Sequence, residues 1–185
     1  MNKTIVSTAV ALSAAALTIG VAGPANAELF GIDDPRDTGH GSDILSLSVR
    51  NGEENLHVVS IHQNLRKDPR TGSGGAVYID TDRNDHGPEY VLTAGWFRGT
   101  DYVLSETEGF GHGQIGDRVE NGDYTMHVNY RRDRVHVTLS RHAIGDAGDV
   151  RVAMKASGTR SDGTSDGLTD WVGEPRTYTP WIAQG

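Results

Sequence analysis

Short runs of alternating apolar and polar residues, separated by polar turns, cover the chain from about residue 40 onward. A period of two indicates a strand with one buried face, because successive side chains of a strand point to opposite faces. In 44–49, for example, Leu45, Leu47 and Val49 alternate with serines. The pattern predicts strands at 44–49, 56–62, 76–79, 90–94, 102–104, 124–130, 135–139 and 150–156, and the tail 168–185 offers one further edge strand.

No stretch of helix length after residue 28 has an apolar period of 3.6. Seven or eight short strands with frequent turn signals, such as Asn51-Gly52, predict a single all-β domain. We expect a sandwich of two antiparallel sheets, of jelly-roll or immunoglobulin-like type. Segment 28–42 is predicted to be a polar lead-in, 63–75 a mobile connection and 106–121 a glycine-rich surface loop, and 140–148 has room for one helical turn.

The first 27 residues are predicted to be a cleaved signal peptide. Lys3 is their only charge, 5–21 is mostly Ala, Val, Leu and Ile, and Ala25 and Ala27 form a small-x-small cleavage site. A membrane anchor is the alternative, but an apolar run of about 17 residues that ends at Gly23-Pro24 is marginal for crossing a bilayer. We therefore expect a secreted, extracellular domain at 28–185, without a membrane anchor.

The charge and the lack of cysteine narrow the classes of function. Removing 1–27 takes away one of the 17 basic side chains and none of the 25 acidic ones, so the formal net charge changes from −8 to −9. An acidic surface argues against nucleic acid and anionic membranes as partners. The absence of Cys excludes disulfides, a thiol nucleophile and a Cys-ligated metal. We expect a monomer.

A loop between two predicted strands carries closely spaced oxygen ligands, at Asp80, Asp82, Asn84, Asp85 and Glu89. Alternate side chains of a tight loop can converge on one hard cation, and calcium takes six to eight oxygen atoms. The loop is not an EF-hand, because Asp85 stands where that motif needs Gly. The sequence therefore predicts calcium here, with a solvated turn as the alternative, since Asp and Asn also favour turns.

Two further acidic groups and one histidine pair are weaker candidates for metal sites. The first acidic group is Asp33, Asp34, Asp37 and Asp43, and the second is Asp162, Asp166 and Asp170; both are predicted to be solvated loops. If Val128 faces Val135, His127 lies directly opposite His136 on the other face of the sheet. Such a pair could hold zinc or copper, and the alternative is an exposed polar pair.

Aromatic side chains are the candidates for ligand contact. Trp96, Tyr102 and Trp171 could stack on sugar rings, with Tyr90, Tyr178 and Trp181 as further members, whereas packing in the core or at sheet edges is the alternative. The chain contains no G-x-S-x-G elbow and no phosphate-binding glycine loop, so no nucleotide is expected. No catalytic residue is assigned.

Three segments of the sequence carry a resemblance to known families: GSDILSLSV, AVYIDTDRNDHGPEYVL and DWVGEPRTYTPW. They resemble small secreted bacterial β-sandwiches of the carbohydrate-binding family 9-like and DOMON-like type. The resemblance implies a jelly-roll-type sandwich, a non-catalytic role and often a bound calcium ion, with Asp80, Asp82 and Glu89 in the matching loop. DOMON relatives can hold haem through Met and His, but Met126 and Met154 fit the core pattern here, so no haem is expected.

Together these observations predict a non-catalytic secreted module, stabilised by calcium, that binds an extracellular glycan or protein. The alternatives are a secreted hydrolase that uses loop carboxylates and a protease inhibitor or adhesion protein that acts through a surface loop such as 63–75 or 106–121.

Overall fold

The structure, a computed structural model, describes residues 28–185. The predicted signal peptide 1–27 and its cleavage site at Ala25 and Ala27 lie outside the described residues. The described chain forms eleven strands: β1 Glu28–Asp33, β2 Ile44–Asn51, β3 Asn55–His62, β4 Ser73–Asp80, β5 Tyr90–Gly95, β6 Tyr102–Thr107, β7 Ile115–Arg118, β8 Tyr124–Asn129, β9 Arg134–Ser140, β10 Arg151–Gly158 and β11 Thr169–Trp171. Within 28–185, no helix is long and apolar enough to cross a bilayer.

The strands form two antiparallel sheets. One has five strands in the order β1-β2-β3-β9-β8, and the other has six in the order β11-β10-β4-β5-β6-β7. The predicted β-sandwich is confirmed. The chain crosses from the five-stranded to the six-stranded sheet between β3 and β4 and again between β9 and β10. The two crossings lie side by side, because β3 pairs with β9 in one sheet and β4 pairs with β10 in the other.

The core lies between the two sheets and is built from the inward residues of the alternating pattern. Its fully buried side chains include Leu47, Leu56 and Leu139 of the five-stranded sheet and Ile79, Leu92, Leu104 and Met154 of the six-stranded sheet. Burying a Leu, Ile or Met side chain contributes about 1.5–3 kcal/mol, so these residues give the fold its main stabilisation.

The eight predicted strands are confirmed, with ends that differ by a few residues. The single helical turn expected within 140–148 is present as a 3-10 turn at Arg141–Ile144. The predicted register is also confirmed, because Val128 pairs with Val135 and His127 with His136.

Three predicted loops contain regular structure instead. In the lead-in, Phe30 and Ile32 pack against the core, so Glu28–Asp33 adds an edge strand to β2. In the glycine-rich loop, Ile115–Arg118 pairs with β6. The connection 63–75 contains a 3-10 turn at Pro69–Thr71 and the first residues of β4. Gly75 is required there, because a Cβ at this position would collide with the Trp96 ring and the Lys155 carbonyl.

Candidate functional site

Asp80, the first residue of the predicted calcium loop, is buried in an ion pair. It ends β4 with no exposed surface, and its Oδ2 accepts hydrogen bonds from Nε and Nη2 of Arg151 at 2.7 and 2.6 Å. Its Oδ1 is buried without a hydrogen-bond partner among the described residues. Burial raises the pKa of Asp80, although Arg151 acts in the opposite direction.

The other carboxylates of that loop accept hydrogen bonds from residues of the same loop. The Asp82 carboxylate accepts from the backbone N and the side-chain Nδ2 of Asn84, at 2.8 and 3.0 Å. Asp85 accepts from the backbone N of His86, and Glu89 accepts from the backbone N and the hydroxyl of Thr81. Asp82, Asn84 and Asp85 are exposed. These contacts are those of an Asp- and Asn-rich turn, and calcium at this loop stays a prediction.

A different set of carboxylates comes together near the start of β2. Asp37 of the lead-in, Asp43 directly before β2 and Asp170 of β11 have oxygens within 4.8 Å of one another, the one such trio of metal-ligating side chains in the described part of the chain. The backbone N atoms of Asp37 and Thr38 donate to Asp43 at 3.0 Å, and that of Ile44 donates to Asp170 at 2.7 Å. The trio joins two members of the first acidic group, Asp37 and Asp43, to one member of the second, Asp170, although the sequence places the two groups in separate solvated loops.

Burial makes the charge of this trio costly. Asp43 is 0% exposed and Asp170 is 3% exposed. Burial, together with the nearby Asp37 and Asp34, raises the pKa of Asp170 to about 7. None of the ion pairs between described residues involves Asp37, Asp43 or Asp170. Buried charges normally pair with an opposite charge or bind a metal.

The outer face of the six-stranded sheet carries a continuous row of aromatic and cationic side chains. In spatial order these are Lys155, Trp171, Tyr78, Phe110, Tyr178, Arg151, Trp181 and Arg83. Neighbouring aromatic rings lie 4.8–5.9 Å apart between centroids, and Arg151 lies 4.4 Å from the Tyr178 centroid. Trp171, Tyr178 and Trp181 belong to the C-terminal tail, so this row holds the tail against the sheet.

Beside the aromatic row, the register of the strands leaves a depression in the sheet. Ala76 pairs with Lys155 on one side and Thr93 on the other, and Gly74 pairs with Ser157. These residues face outward, because the intervening Val77 faces the core. Most outward positions next to Tyr78 therefore hold small side chains, and the outer surface of the sheet is recessed there.

We call this depression the trough. Its volume is about 470 Å³. The floor is formed by Gly74, Ala76, Thr93 and Ser157, and the walls by Tyr78, Phe97, Phe110, His112, Ile115 and Lys155. Phe97 and Phe110 are partly exposed there, whereas Tyr78 is only 5% exposed, so the two phenylalanine rings and the hydroxyl groups of the floor are the groups that can contact a ligand.

The residues predicted to bind ligand lie in three different places. Trp96 is 2% exposed and packs on the His62 ring at 4.6 Å inside the core. Tyr102 is half-buried against Tyr124. Trp171 is half-buried in the aromatic row, where it stacks on Tyr78 with an interplanar angle of 15°. The structure does not bring these three side chains together.

A histidine cluster lies on the outer face of the five-stranded sheet. His127 and His136 are directly opposite each other, and His57 of β3 joins them: its Nδ1 lies 3.3 Å from Nε2 of His136. Sequence reasoning missed His57 because its approach depends on the pairing of β3 with β9. It missed the trough for a similar reason, although the run Ser73-Gly74-Gly75-Ala76 was a signal of a low sheet surface.

The resemblance to carbohydrate-binding family 9-like and DOMON-like domains stays a prediction. Comparisons with protein families, with characterised proteins and with solved structures find no match to this chain.

Proposed function

We propose that this protein is a non-catalytic secreted module that binds an extracellular glycan in the trough and is stabilised by calcium. The observation that carries the proposal is the trough itself, a depression in an exposed sheet with a floor of small side chains and walls of aromatic rings. Its volume of about 470 Å³ falls within the range of small-ligand sites, roughly 300–1,000 Å³.

The chemistry of the trough suits a sugar. Sugar rings combine apolar C–H faces with hydroxyl edges, so they bind where an aromatic ring and hydrogen-bonding groups lie close together. Phe97 and Phe110, both partly exposed, supply the rings, and Thr93, Ser157 and Lys155 supply donors and acceptors. Because the buried Tyr78 donates a hydrogen bond to the Phe110 carbonyl at 3.2 Å, the backbone that carries the Phe110 ring is fixed on the sheet.

The side chains of the trough favour binding over hydrolysis. A glycoside hydrolase needs a pair of carboxyl groups about 5–9.5 Å apart across the scissile bond. Among the described residues, no Asp or Glu lines the trough. Asp80, a carboxylate of the neighbouring loop, is engaged by Arg151. These contacts support a module that holds its ligand without cleaving it.

Calcium is proposed at Asp37, Asp43 and Asp170. Carboxylates are the preferred protein ligands of calcium, and a divalent cation would offset the repulsion between two buried negative charges and their exposed neighbour. The ion would tie the lead-in to β11, which are distant in the sequence. Its role is therefore structural, and it lies apart from the trough.

Binding of polysaccharides by the wild type and by trough variants tests the glycan proposal. On a panel of immobilised glycans we expect retention of at least one class, lost in Thr93→Trp, which fills the floor, and reduced in Phe110→Ala, which removes a wall. Thr125→Trp is the matched control, because Thr125 is an exposed strand residue of the other sheet. Retention that survives Thr93→Trp, or none on any glycan, contradicts the proposal.

Melting curves with calcium and with EGTA test the metal. We expect calcium to raise the Tm of the wild type, Asp82→Asn and Asp85→Asn, but not that of Asp43→Asn or Asp170→Asn. The opposite pattern would place the ion in the 80–89 loop, and an unchanged Tm in the wild type would reject calcium altogether. Elemental analysis of the purified protein gives the stoichiometry.

A further inference from the structure

The histidine cluster on the five-stranded sheet has the spacing of a metal site. His57 Nδ1 lies 3.3 Å from His136 Nε2, and the Thr138 hydroxyl lies 3.2 Å from the first nitrogen and 3.5 Å from the second. A tetrahedral zinc ion has ligands about 2.0–2.1 Å away, which places any two of its nitrogen ligands roughly 3.3–3.4 Å apart. The two imidazole nitrogens therefore already stand at the separation of one edge of such a site.

The cluster is fixed by the sheet and open to solvent. His57 and His136 project from β3 and β9, two neighbouring strands inside the sheet, so their Cβ positions do not depend on a loop. His127 stands directly opposite His136 on β8 and is exposed. Opposite Cβ atoms lie about 4.5–5.5 Å apart, so rotation of the His127 side chain can bring a third nitrogen to the same point.

Imidazole binds a metal through a lone pair, so the three side chains must be neutral to act as ligands. Burial lowers the pKa of both His57 and His136, and the nearby Arg50 and Arg134 lower these pKa values further. Those guanidinium groups also repel cations, so the site depends on chelation and not on a negative field.

We propose that His57, His127 and His136 form a binding site for a borderline divalent transition ion such as Zn²⁺ or Cu²⁺. Neutral imidazole ligands suit zinc, copper and nickel, whereas calcium and magnesium take oxygen ligands. The site is therefore distinct in chemistry and in place from the carboxylate trio, and it does not depend on the proposed function.

Calorimetric titration of the purified protein with zinc tests the site, in a buffer with millimolar calcium to occupy oxygen sites. We expect one zinc ion per chain. Loss of an outer-shell partner of a metal ligand already costs about 10–100-fold in affinity. Loss of a ligand itself should cost at least as much, so we expect at least a tenfold loss of zinc affinity in His57→Asn and His136→Asn. The loss in His127→Asn should be smaller. His142→Asn, which changes an exposed histidine of the 3-10 turn Arg141–Ile144, is the control and should bind as the wild type does.

Two further measurements make the test specific. The EPR spectrum of the copper-loaded protein should show coupling to nitrogen that weakens in each of the three variants. Urea unfolding without metal should show that each variant remains folded. Absence of zinc binding in the wild type, or an unchanged affinity in any one of the three histidine variants, would overturn the site as described.

Discussion

The ion pair between Asp80 and Arg151 gives the sharpest prediction about stability. Asp80 is fully buried, and the Arg151 side chain is 27% exposed, with a closest N–O distance of 2.6 Å. Replacing Arg151 by Met retains an apolar stem against Tyr178 and Trp181 but leaves the Asp80 carboxylate without its partner. Breaking a buried pair in this way costs about 3–5 kcal/mol of unfolding free energy.

Replacing the acidic partner should cost less unfolding free energy than replacing Arg151. Asp80→Asn keeps an oxygen that can accept from Arg151, and the freed guanidinium can reach water, so we expect a loss of about 1–3 kcal/mol. The loss in Arg151→Met should be largest at neutral pH and should shrink toward acid pH. The reason is that the raised pKa of Asp80 lets the unpaired carboxylate take up a proton there.

Urea unfolding of the wild type, both single variants and the double variant forms the assay. We expect the double variant to be more stable than the sum of the single losses predicts, with a coupling energy of about 1–3 kcal/mol. The matched control is the exposed pair Arg83–Asp149, whose closest N–O distance is 2.7 Å. Its coupling energy should be below about 1 kcal/mol. Additive losses at Asp80 and Arg151 would refute the reasoning, as would a loss below about 1 kcal/mol in Arg151→Met.

Three further predictions concern single groups. In EGTA, the unfolding free energy of the wild type relative to Asp170→Asn, measured with urea, should fall as pH rises from about 4 to 7 and then level off, because the raised pKa of Asp170, about 7, keeps that carboxyl protonated in the fold. Burial lowers the pKa of His62 from 6.5 to about 3, so through this residue acid favours the unfolded state. Relative to His62→Gln, the wild type should therefore be about 2 kcal/mol less stable at pH 5 than at pH 7 in the same assay. Gly75→Val should cost about 1–3 kcal/mol through overpacking against Trp96 and lower the Tm, whereas Gly31→Val, which meets no atom within 4 Å, should not.

Local sequence patterns predicted the individual strands but not the contacts between strands that are far apart in the sequence. Alternation placed the central strands, and the hairpin of β8 and β9 put His127 opposite His136, since a short turn fixes its own register. His57 reaches His136 only through the pairing of β3 with β9, which leaves no local trace in the sequence. Strand β7 was missed because glycines surround its four residues, of which only Ile115 is partly buried.

The candidate sites depend on the same long-range contacts. Asp43 and Asp170 are far apart in sequence, and each by itself fits a polar turn; only the folded chain puts both beside Asp37. The trough needs two registers at once, because Ala76 must lie between Lys155 and Thr93 for the sheet to be low there. Asp80, in contrast, lies at the predicted junction of strand and loop, but it is the last residue of β4 and its carboxylate pairs with Arg151 of β10.

The joint crossing of β3–β4 and β9–β10 bears on how the chain acquires its structure. Because β3 pairs with β9 and β4 pairs with β10, the five-stranded sheet needs the chain up to Ser140, and the six-stranded sheet, which also includes β11, needs it up to Trp171. Nonlocal pairing of this kind slows folding. Until those strands have been made, the chain can still pass unfolded through a narrow translocation channel, as the secretion proposed above requires.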